Sequence, residues 1–452
     1  MSHRAFLGFM TVPLLTVIAM AALWWVDTHE LQLKSASERE KALNQEVIAL
    51  LQAHYDGKVD RETLISGGLQ GIASAVEDRH TVLWPPAVAR QRSEESSGKY
   101  AGVGTVISPL ADGRVAIRFV FQGGPADKAG MKPNDIINAV DGKEINSLSS
   151  KEIQDLVRGE PGSEVTITVE RDGDTLDLKI TRGLVTVQSI HGARILPDTD
   201  VGYLRIGTFS GETVDQFESA FESLRGKGMK ALMIDLRDNG GGLLDAAVQI
   251  ADHFIKEKDL PIVSMLASKE KLERRAAHGL KNEMTSGIVH RSRDEKVLTN
   301  IPVVFLVNDQ SASASEILAG ALQDYDRAYL VGTRTYGKGS VQRPFKLPSD
   351  ERFTLKITVA RYYTPLGKGL MRKDDNQPGG IEPDLHYAMT RNEVAEMLLR
   401  FRIQQYQVPD DDYQWALESD KKAWASPDPH IQAALAYLRG EAFNIPLSPS
   451  SQ

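Results

Sequence analysis

Three kinds of apolar patterning follow one another along the chain. The first is an uninterrupted run at 5–26, AFLGFMTVPLLTVIAMAALWWV, without a charged residue. As a helix at 1.5 Å per residue it spans roughly 33 Å, enough to cross a bilayer core. Arg4 precedes it and Asp27 and Glu30 follow, so the positive-inside rule sets the bulk of the chain outside the cytoplasm. Trp24 and Trp25 stand where an interfacial belt would lie. Ala19-Met20-Ala21 also offers a signal-peptidase site, so a membrane anchor and a cleaved signal peptide are both open readings.

The second pattern is short and local. From 28 to about 89 apolar positions recur at helical spacing, Ile48, Leu51 and Tyr55, then Leu64, Leu69, Ile72 and Val76. WPPAVARQRSEESSGK, 84–99, reads as a loop, because Pro-Pro breaks a helix and Ser, Glu and Lys favour solvent. From 100 to 182 the period falls to two. GRVAIRFVF (113–121) and EVTITVERDGDTLDLKITR (164–182) alternate, the latter folding back at Asp172-Gly173. SSKEIQDLVRG between them predicts an amphipathic helix ending at Gly159.

The third pattern begins at Val201. VGYLRIGTF is a strand, and Val214, Phe217, Phe221 and Leu224 form one helical stripe with Gly226 as C-cap. KALMIDLR, IPVVFLVN and AYLVG are apolar strands, separated by helices at LLDAAVQIADHFI and from about Ser313 to Asp324. This alternation predicts a mostly parallel sheet covered by helices. RFTLKITVARYYT then alternates, with Phe353, Leu355, Ile357 and Val359 on one face. Two helices, 391–407 and 429–440, close the chain around an acidic loop at 410–412.

Composition narrows the chemistry. The 452 residues, 41% hydrophobic and 25% charged, suit two to four ordinary globular units. The net charge of −8, from 53 basic and 61 acidic residues, argues against a nucleic-acid partner. The absence of cysteine removes disulfides, thiol nucleophiles and zinc–thiolate sites. The ten histidines are scattered, with no H-E-x-x-H spacing, and no G-x-S-x-G elbow occurs. No metal or cofactor is expected.

Two segments retain catalytic potential. In VNDQSASASEILAGALQDYDRAYLVGTRTYGKGSVQ, 307–342, a strand runs into a helix through Ser311, Ser313 and Ser315, and Lys338 follows between Gly337 and Gly339. A serine at such a tip suits a nucleophile, and a desolvated lysine can serve as its base. Simple helix capping and a solvated loop lysine explain the same residues. DLRDNGGGLLD, 235–245, offers free backbone N–H groups for an oxyanion, or only a tight turn. On the residues alone both pairs of readings stay open.

The motifs carry a resemblance to known families. GGPADKAGMKPNDIINAVDGKEI, 123–145, resembles the second half of a PDZ domain, with YAGVGTVI, 100–107, as its carboxylate loop and binding strand. That likeness implies β-augmentation by an extended C-terminal peptide, in a groove of Gly102, Val103, Gly104, Thr105, Val106 and Ile107 beside the helix around Ile153 to Leu156. The 307–342 stretch resembles the nucleophile–base region of the carboxyl-terminal processing peptidases, or tail-specific proteases. The resemblance implies Ser313 as nucleophile and Lys338 as general base and later acid. It implies Gln342 as an orienting group, Asp324 as a supporting residue, and the N–H groups of Gly241 and Ala314 as oxyanion hole. Gly240 stands where the family usually has proline, which loosens that loop.

ARYYTP (360–365), GIEPD (380–384), DPHIQAALAYL (428–438) and a worn VEDRHT (76–81) extend the likeness over about residues 40–440. The implied fold is a crotonase-like α/β core with an inserted PDZ domain and flanking helices. Its expected divisions are a signal or anchor segment at 1–26, a helical region at 27–98, the PDZ domain at 99–184, the protease core at 185–390 and a helical region at 391–452. The implied function is ATP-independent serine endoproteolysis of exported proteins bearing apolar C-terminal tails. The expected location is periplasmic or extracytoplasmic, anchored in the inner membrane through 5–26. An adaptor lipoprotein and a homo-oligomer are open as partners. The alternatives are a membrane-tethered PDZ scaffold with an inactive protease-like core, and a crotonase-like acyl-CoA enzyme.

Overall fold

The computed structural model describes residues 38–441, except 111, 122, 269–272, 274–286, 294–297, 299, 373–377 and 406–427. The apolar span 5–26, its Ala-Met-Ala site and the acidic loop 410–412 lie outside the described residues. Among the described residues no helix is long and apolar enough to cross a membrane. The chain divides into two compact units, Met1–Pro85 and Pro86–Gln452.

The first unit holds helix α1 (38–54), helix α2 (Arg61–Ser74) and the short strand β1 (Val82–Trp84). Asp60 caps α2 by accepting the Thr63 N–H at 2.8 Å.

The second unit opens with a correction. Pro86–Ser97 is a helix, α3, where the sequence reads as a loop. Proline is favourable at a first helical position, where its missing N–H would be unpaired anyway. The helix buries none of its residues, so no apolar stripe announces it. Its side chains pair along the surface instead, as in Arg92–Glu95 at 2.7 Å.

A β-rich module follows: β2 (Lys99–Gly102), β3 (Thr105–Pro109), β4 (Val115–Val120), helix α4 (Pro125–Lys128), β5 (Ile136–Val140), β6 (Lys143–Glu144), helix α5 (Ser150–Val157), β7 (Glu164–Arg171) and β8 (Asp174–Thr181). The sheet order is β3-β4-β5-β7-β8, with β6 on β5, which leaves β3 at an edge. Both residues of Asp141-Gly142 and of Asp172-Gly173 have positive φ, as two-residue hairpin turns require. Ser149 and Glu152 form a capping box on α5, which ends at Val157, two residues before the expected Gly159. Ile117, Ile137, Ile153, Val169 and Ile180 fill the module's own core. The module is joined to the rest by a ribbon, β2 paired antiparallel with β9 (Gly183–Thr186), so the chain enters and leaves side by side.

The larger domain is built on a six-stranded sheet. Its strands are β10 (Ile190–Ile195), β11 (Val201–Ile206), β12 (Ala231–Asp235), then β15 (Val303–Val307), β16 (Tyr329–Gly332) and β19 (Leu385–His386), in the order β10-β11-β12-β15-β16-β19. All neighbours run parallel except β10 and β11. Helices cover both faces, which is why the strands read as continuous apolar runs. Leu204, Ile234, Phe305 and Leu330 face helices α6 (Thr213–Gly226), α7 (Leu244–Asp252) and α8 (Ala314–Asp324). Tyr203, Met233, Val304 and Val331 face α10 (Pro429–Leu438), which follows α9 (Arg391–Gln405) in sequence.

Three details depart from expectation. α6 continues through Gly226, and the left-handed residue that ends it is Gly228, at φ +85°. β13 (Pro261–Leu266) and β14 (Ile288–Arg291) pair with each other, and β17 (Ser340–Leu347) forms a long ribbon with β18 (Asp350–Tyr363). Of the four apolar residues expected on one face of β18, only Phe353 is buried; Leu355, Ile357 and Val359 are half-buried.

Candidate active site

The centre of the parallel sheet puts the carboxyl ends of β12 and β15 next to each other, the usual ligand side of such sheets. The turn after β15 is pinned to the turn after β12 by the two outer serines. Ser311 Oγ donates to the Leu236 carbonyl at 2.8 Å, and Ser315 Oγ to the Asn239 carbonyl at 2.9 Å. The Ala312 N–H reaches the same Asn239 oxygen at 3.0 Å. With both hydroxyls committed, Ser311 and Ser315 are 0% and 1% exposed, whereas Ser313 is 9% exposed.

Ser313 has φ 59° and ψ −114°, a conformation L residues rarely adopt. Such strain costs on the order of 1–3 kcal/mol and persists where the surroundings enforce it. The enforcing group is Glu316, in the first turn of α8 and fully buried. Its carboxylate accepts the N–H of Ser313 at 2.8 Å and of Lys338 at 2.9 Å on one oxygen. The other oxygen takes the Gly337 N–H and the Thr335 hydroxyl, each at 2.7 Å. The backbones of Ser313 and Lys338 are therefore no further apart than two hydrogen bonds to one atom. Burial holds the Glu316 carboxyl above its ordinary range, and the four donors offset that rise only in part.

Lys338 is half-buried. A side chain at Gly339 would put its Cβ 2.1 Å from the Met371 nitrogen, so the loop that carries the lysine packs directly on another backbone. Gln342 follows a bulge in the β17–β18 ladder. Its amide nitrogen donates to Ser340 Oγ at 2.8 Å and Thr358 Oγ1 at 3.3 Å, so its carbonyl oxygen is the end that can receive a cation.

Gly241 has φ +98°, and a Cβ there would lie 2.8 Å from the Ser313 Cβ. The family resemblance implies that its N–H is an oxyanion donor. In the structure that N–H is taken by Asn239 Oδ1 at 2.9 Å, an Asx turn. Asn239 is fixed in that orientation because its Nδ2 donates to the Ile206 carbonyl at 2.8 Å. Ala314 is the first residue of α8, so its N–H lies outside the intrahelical ladder. Asp324 sits at the opposite end of α8, roughly 16 Å along the axis, and its carboxylate accepts the Leu366 N–H at 2.9 Å. It braces a loop and stands away from Ser313.

In the β-rich module the expected groove residues divide into two groups. Gly102 ends β2, while Val103 and Gly104 form a buried turn whose carbonyls accept the N–H groups of Ala126 and Phe121 at 2.8 and 2.9 Å. Thr105, Val106 and Ile107 are half-buried on the edge strand β3, next to α5.

Residues 93–181 match the model of the PDZ domain, and 200–387 match the model of peptidase family S41. The carboxy-terminal processing protease CtpB of Bacillus subtilis (strain 168) is 32% identical over 357 residues, 77% of this chain and 68% of that protein. The chain belongs to peptidase family S41. CtpA of the same organism is 30% identical over 382 residues, 83% of this chain and 76% of that protein. Among solved structures, a photosystem II D1 C-terminal processing protease is 29% identical, covering 74% of this chain and 84% of that one, with a TM-score of 0.40. The chain is thus a serine-type peptidase with a PDZ domain, and its substrates are proteins.

Sequence reasoning missed two features of this S41 chain. The first is Glu316, although Ser313-Ala-Ser-Glu316 has the S-x-x-E spacing of a capping box. The second is a buried ionic group at the end of β12. Arg237, 0% exposed, grips Asp235 through Nε at 2.9 Å and Nη2 at 2.6 Å. It also reaches Asp428 Oδ1 at 3.1 Å, and Asp428 Oδ2 receives Arg400 at 2.5 Å. Burial works against the Arg237 charge, but the facing Asp235 and Asp428 hold it well above the ordinary range. Asp428, opposed by burial, is held at about 2 by Arg237 and Arg400.

Proposed function

We propose that this S41 peptidase cleaves exported proteins through a Ser313–Lys338 dyad, after its PDZ domain has captured an apolar C-terminal tail. One observation carries the reading: a single buried carboxylate, Glu316, bonds the backbone N–H groups of both Ser313 and Lys338. A carboxylate in that position fixes the nucleophile's strained turn and the lysine's loop as one body, as near-attack geometry requires.

In this mechanism Ser313 Oγ attacks the scissile carbonyl carbon as the Lys338 amine takes its proton. The oxyanion rests on the Ala314 N–H, and the Gly241 N–H joins when its Asx turn to Asn239 opens. Lys338 returns the proton to the leaving amine, and water repeats the cycle on the acyl-enzyme. A lysine can act as base when partial burial disfavours its charged form, and the half-burial of Lys338 suits that task. Gln342 orients the ammonium through its carbonyl oxygen. Neither metal nor nucleotide takes part.

The tail pairs with the edge of β3 and lays alternate side chains toward α5. The names of the relatives, carboxy-terminal processing proteases, support cleavage near a C-terminus. The core is read as crotonase-like, with divisions at 26, 98, 184 and 390. Residues 5–26 are read as an inner-membrane anchor, with the catalytic unit on the extracytoplasmic side.

The test is digestion of two unfolded reporters that differ only in an apolar or a polar C-terminal tail. Wild type is expected to cut the apolar-tailed reporter faster, while Ser313→Ala and Lys338→Ala retain tail binding and lose turnover. Full activity in Lys338→Ala would rule out the Ser313–Lys338 dyad.

A further inference from the structure

The buried ionic group links two parts of the chain that sequence separates by 191 positions, and one of them leads straight into the catalytic loop. Asp235 ends β12, and Arg237, Asn239 and Gly241 follow at alternate positions. Two atoms of that loop, the Leu236 and Asn239 carbonyls, receive Ser311 and Ser315 on either side of Ser313. Arg237 lies within that loop, one residue after the Leu236 carbonyl that receives Ser311.

Arg237 is held from four sides, one of them His430, whose Nδ1 lies 3.3 Å from its Nη1. Asp235 takes its Nε and Nη2, Asp428 faces its Nη1 at 3.1 Å and its Nη2 at 3.0 Å, and the Phe401 ring lies 5.4 Å from its guanidinium carbon. Asp428 does more than cap α10 through the N–H groups of His430 and Ile431 at 3.0 and 3.3 Å, because its second oxygen is fixed by Arg400 of α9. Asp428 and Arg400 are each 2% exposed at the side chain. Asp235, Arg237, Arg400 and Asp428 sum to zero, and the buried Arg205, 4.0 Å from the Phe401 ring, is offset by the neighbouring Asp238. Helix capping alone would not call for a buried, charge-balanced bridge onto a catalytic loop, since an exposed cap serves a helix equally well.

We propose that Asp428, braced by Arg400, is a positioning residue of the protease: the C-terminal helix pair holds the Arg237 loop, and through it the geometry around Ser313. Asp428 touches neither substrate nor nucleophile. It acts through Arg237, and the Arg237–Asp428 contact sets the competence of the loop.

The experiment uses the full chain, a short peptide substrate and a fluorophosphonate as active-site probe. Asp428→Asn leaves two buried arginines facing one carboxylate, so both folding and activity are expected to fall. The informative variants restore or retain the charge balance. Asp428→Asn/Arg400→Gln is expected to recover thermal stability toward wild type, while kcat stays about tenfold or more below it at unchanged KM, and probe labelling of folded enzyme slows by the same factor. Asp428→Glu, which keeps the charge but displaces the carboxylate by one methylene, is expected to bind tail peptide normally and to show a smaller loss of the same kind. If kcat and labelling rate recover together with stability in the double variant, the ionic group is only fold-stabilising and the proposal fails. Should the double variant not fold, Asp428→Glu decides: a labelling rate within twofold of wild type overturns the proposal.

Discussion

In the proposed mechanism the PDZ module and the Ser313 centre meet their ligands in opposite ways. The module offers β3, a sheet edge of the kind that an extended peptide joins by β-augmentation. The protease centre is a polar knot closed on itself, in which Glu316 takes four donors and the hydroxyls of Ser311 and Ser315 are both committed. A recognition edge tolerates looseness, because its ligand completes it. A catalytic centre assembled from three separate turns does not, because a misplacement of about 1 Å can cost on the order of 100-fold in rate.

That contrast predicts where substitutions will hurt. The largest effect falls on Glu316→Gln, which keeps the shape but sets an NH₂ against backbone donors. Turnover of a short peptide should drop about 100-fold, while tail-peptide binding by the PDZ domain, read by fluorescence anisotropy, stays unchanged. A drop in both would mean that the two regions are not separate. The converse variant is Val106→Asp, which puts a carboxylate on the groove strand opposite a C-terminal carboxylate. Tail affinity should weaken by about tenfold or more, with kcat on a tailless peptide unaltered.

A third effect concerns acid stability. His430 and His191 are buried as neutral rings, both pushed down to about 4, by desolvation first and then by Arg237 and Arg205 respectively. Their folded values lie below the ordinary 6.5, so the unfolded chain binds protons first. Stability is full above pH 6.5 and falls as pH drops toward 4, by up to roughly 3 kcal/mol for each ring. Melting temperatures of wild type and His430→Gln across that range check this, and the variant should show the shallower slope. The PDZ core contains no such ring, so isotope exchange there should respond least. The smallest effect is Gly240→Pro. Gly240 is exposed, lacks a positive φ and has open space at its Cβ. Proline should raise stability by about 0.4–1 kcal/mol, and a loss of stability in calorimetry would show that the loop needs the glycine.

The same contrast explains what could be read in advance. The module was legible because its information is local: Asp-Gly turns, period-two strands, a capped amphipathic helix. The parallel strands were legible because burial on both faces makes them uniformly apolar. The helix Pro86–Ser97 was hidden by its lack of any buried face, and β17 by the exposed run Arg343–Lys346 that breaks any alternation. At the centre, Ser313 and Lys338 came from resemblance to a family motif. The S-x-x-E spacing could have linked Glu316 to Ser313, but nothing local says that its carboxylate also holds Gly337 and Lys338. Asp428 was further beyond reach, since a lone aspartate before a proline signals a helix cap, not a partner 191 positions away.

Ser313 as the nucleophile is tested most directly by mass spectrometry of the chain after reaction with a fluorophosphonate. One adduct is expected, on the peptide containing Ser313, strongly reduced in Lys338→Ala and in Glu316→Gln. An adduct on another serine, or equal labelling in all three proteins, would contradict it.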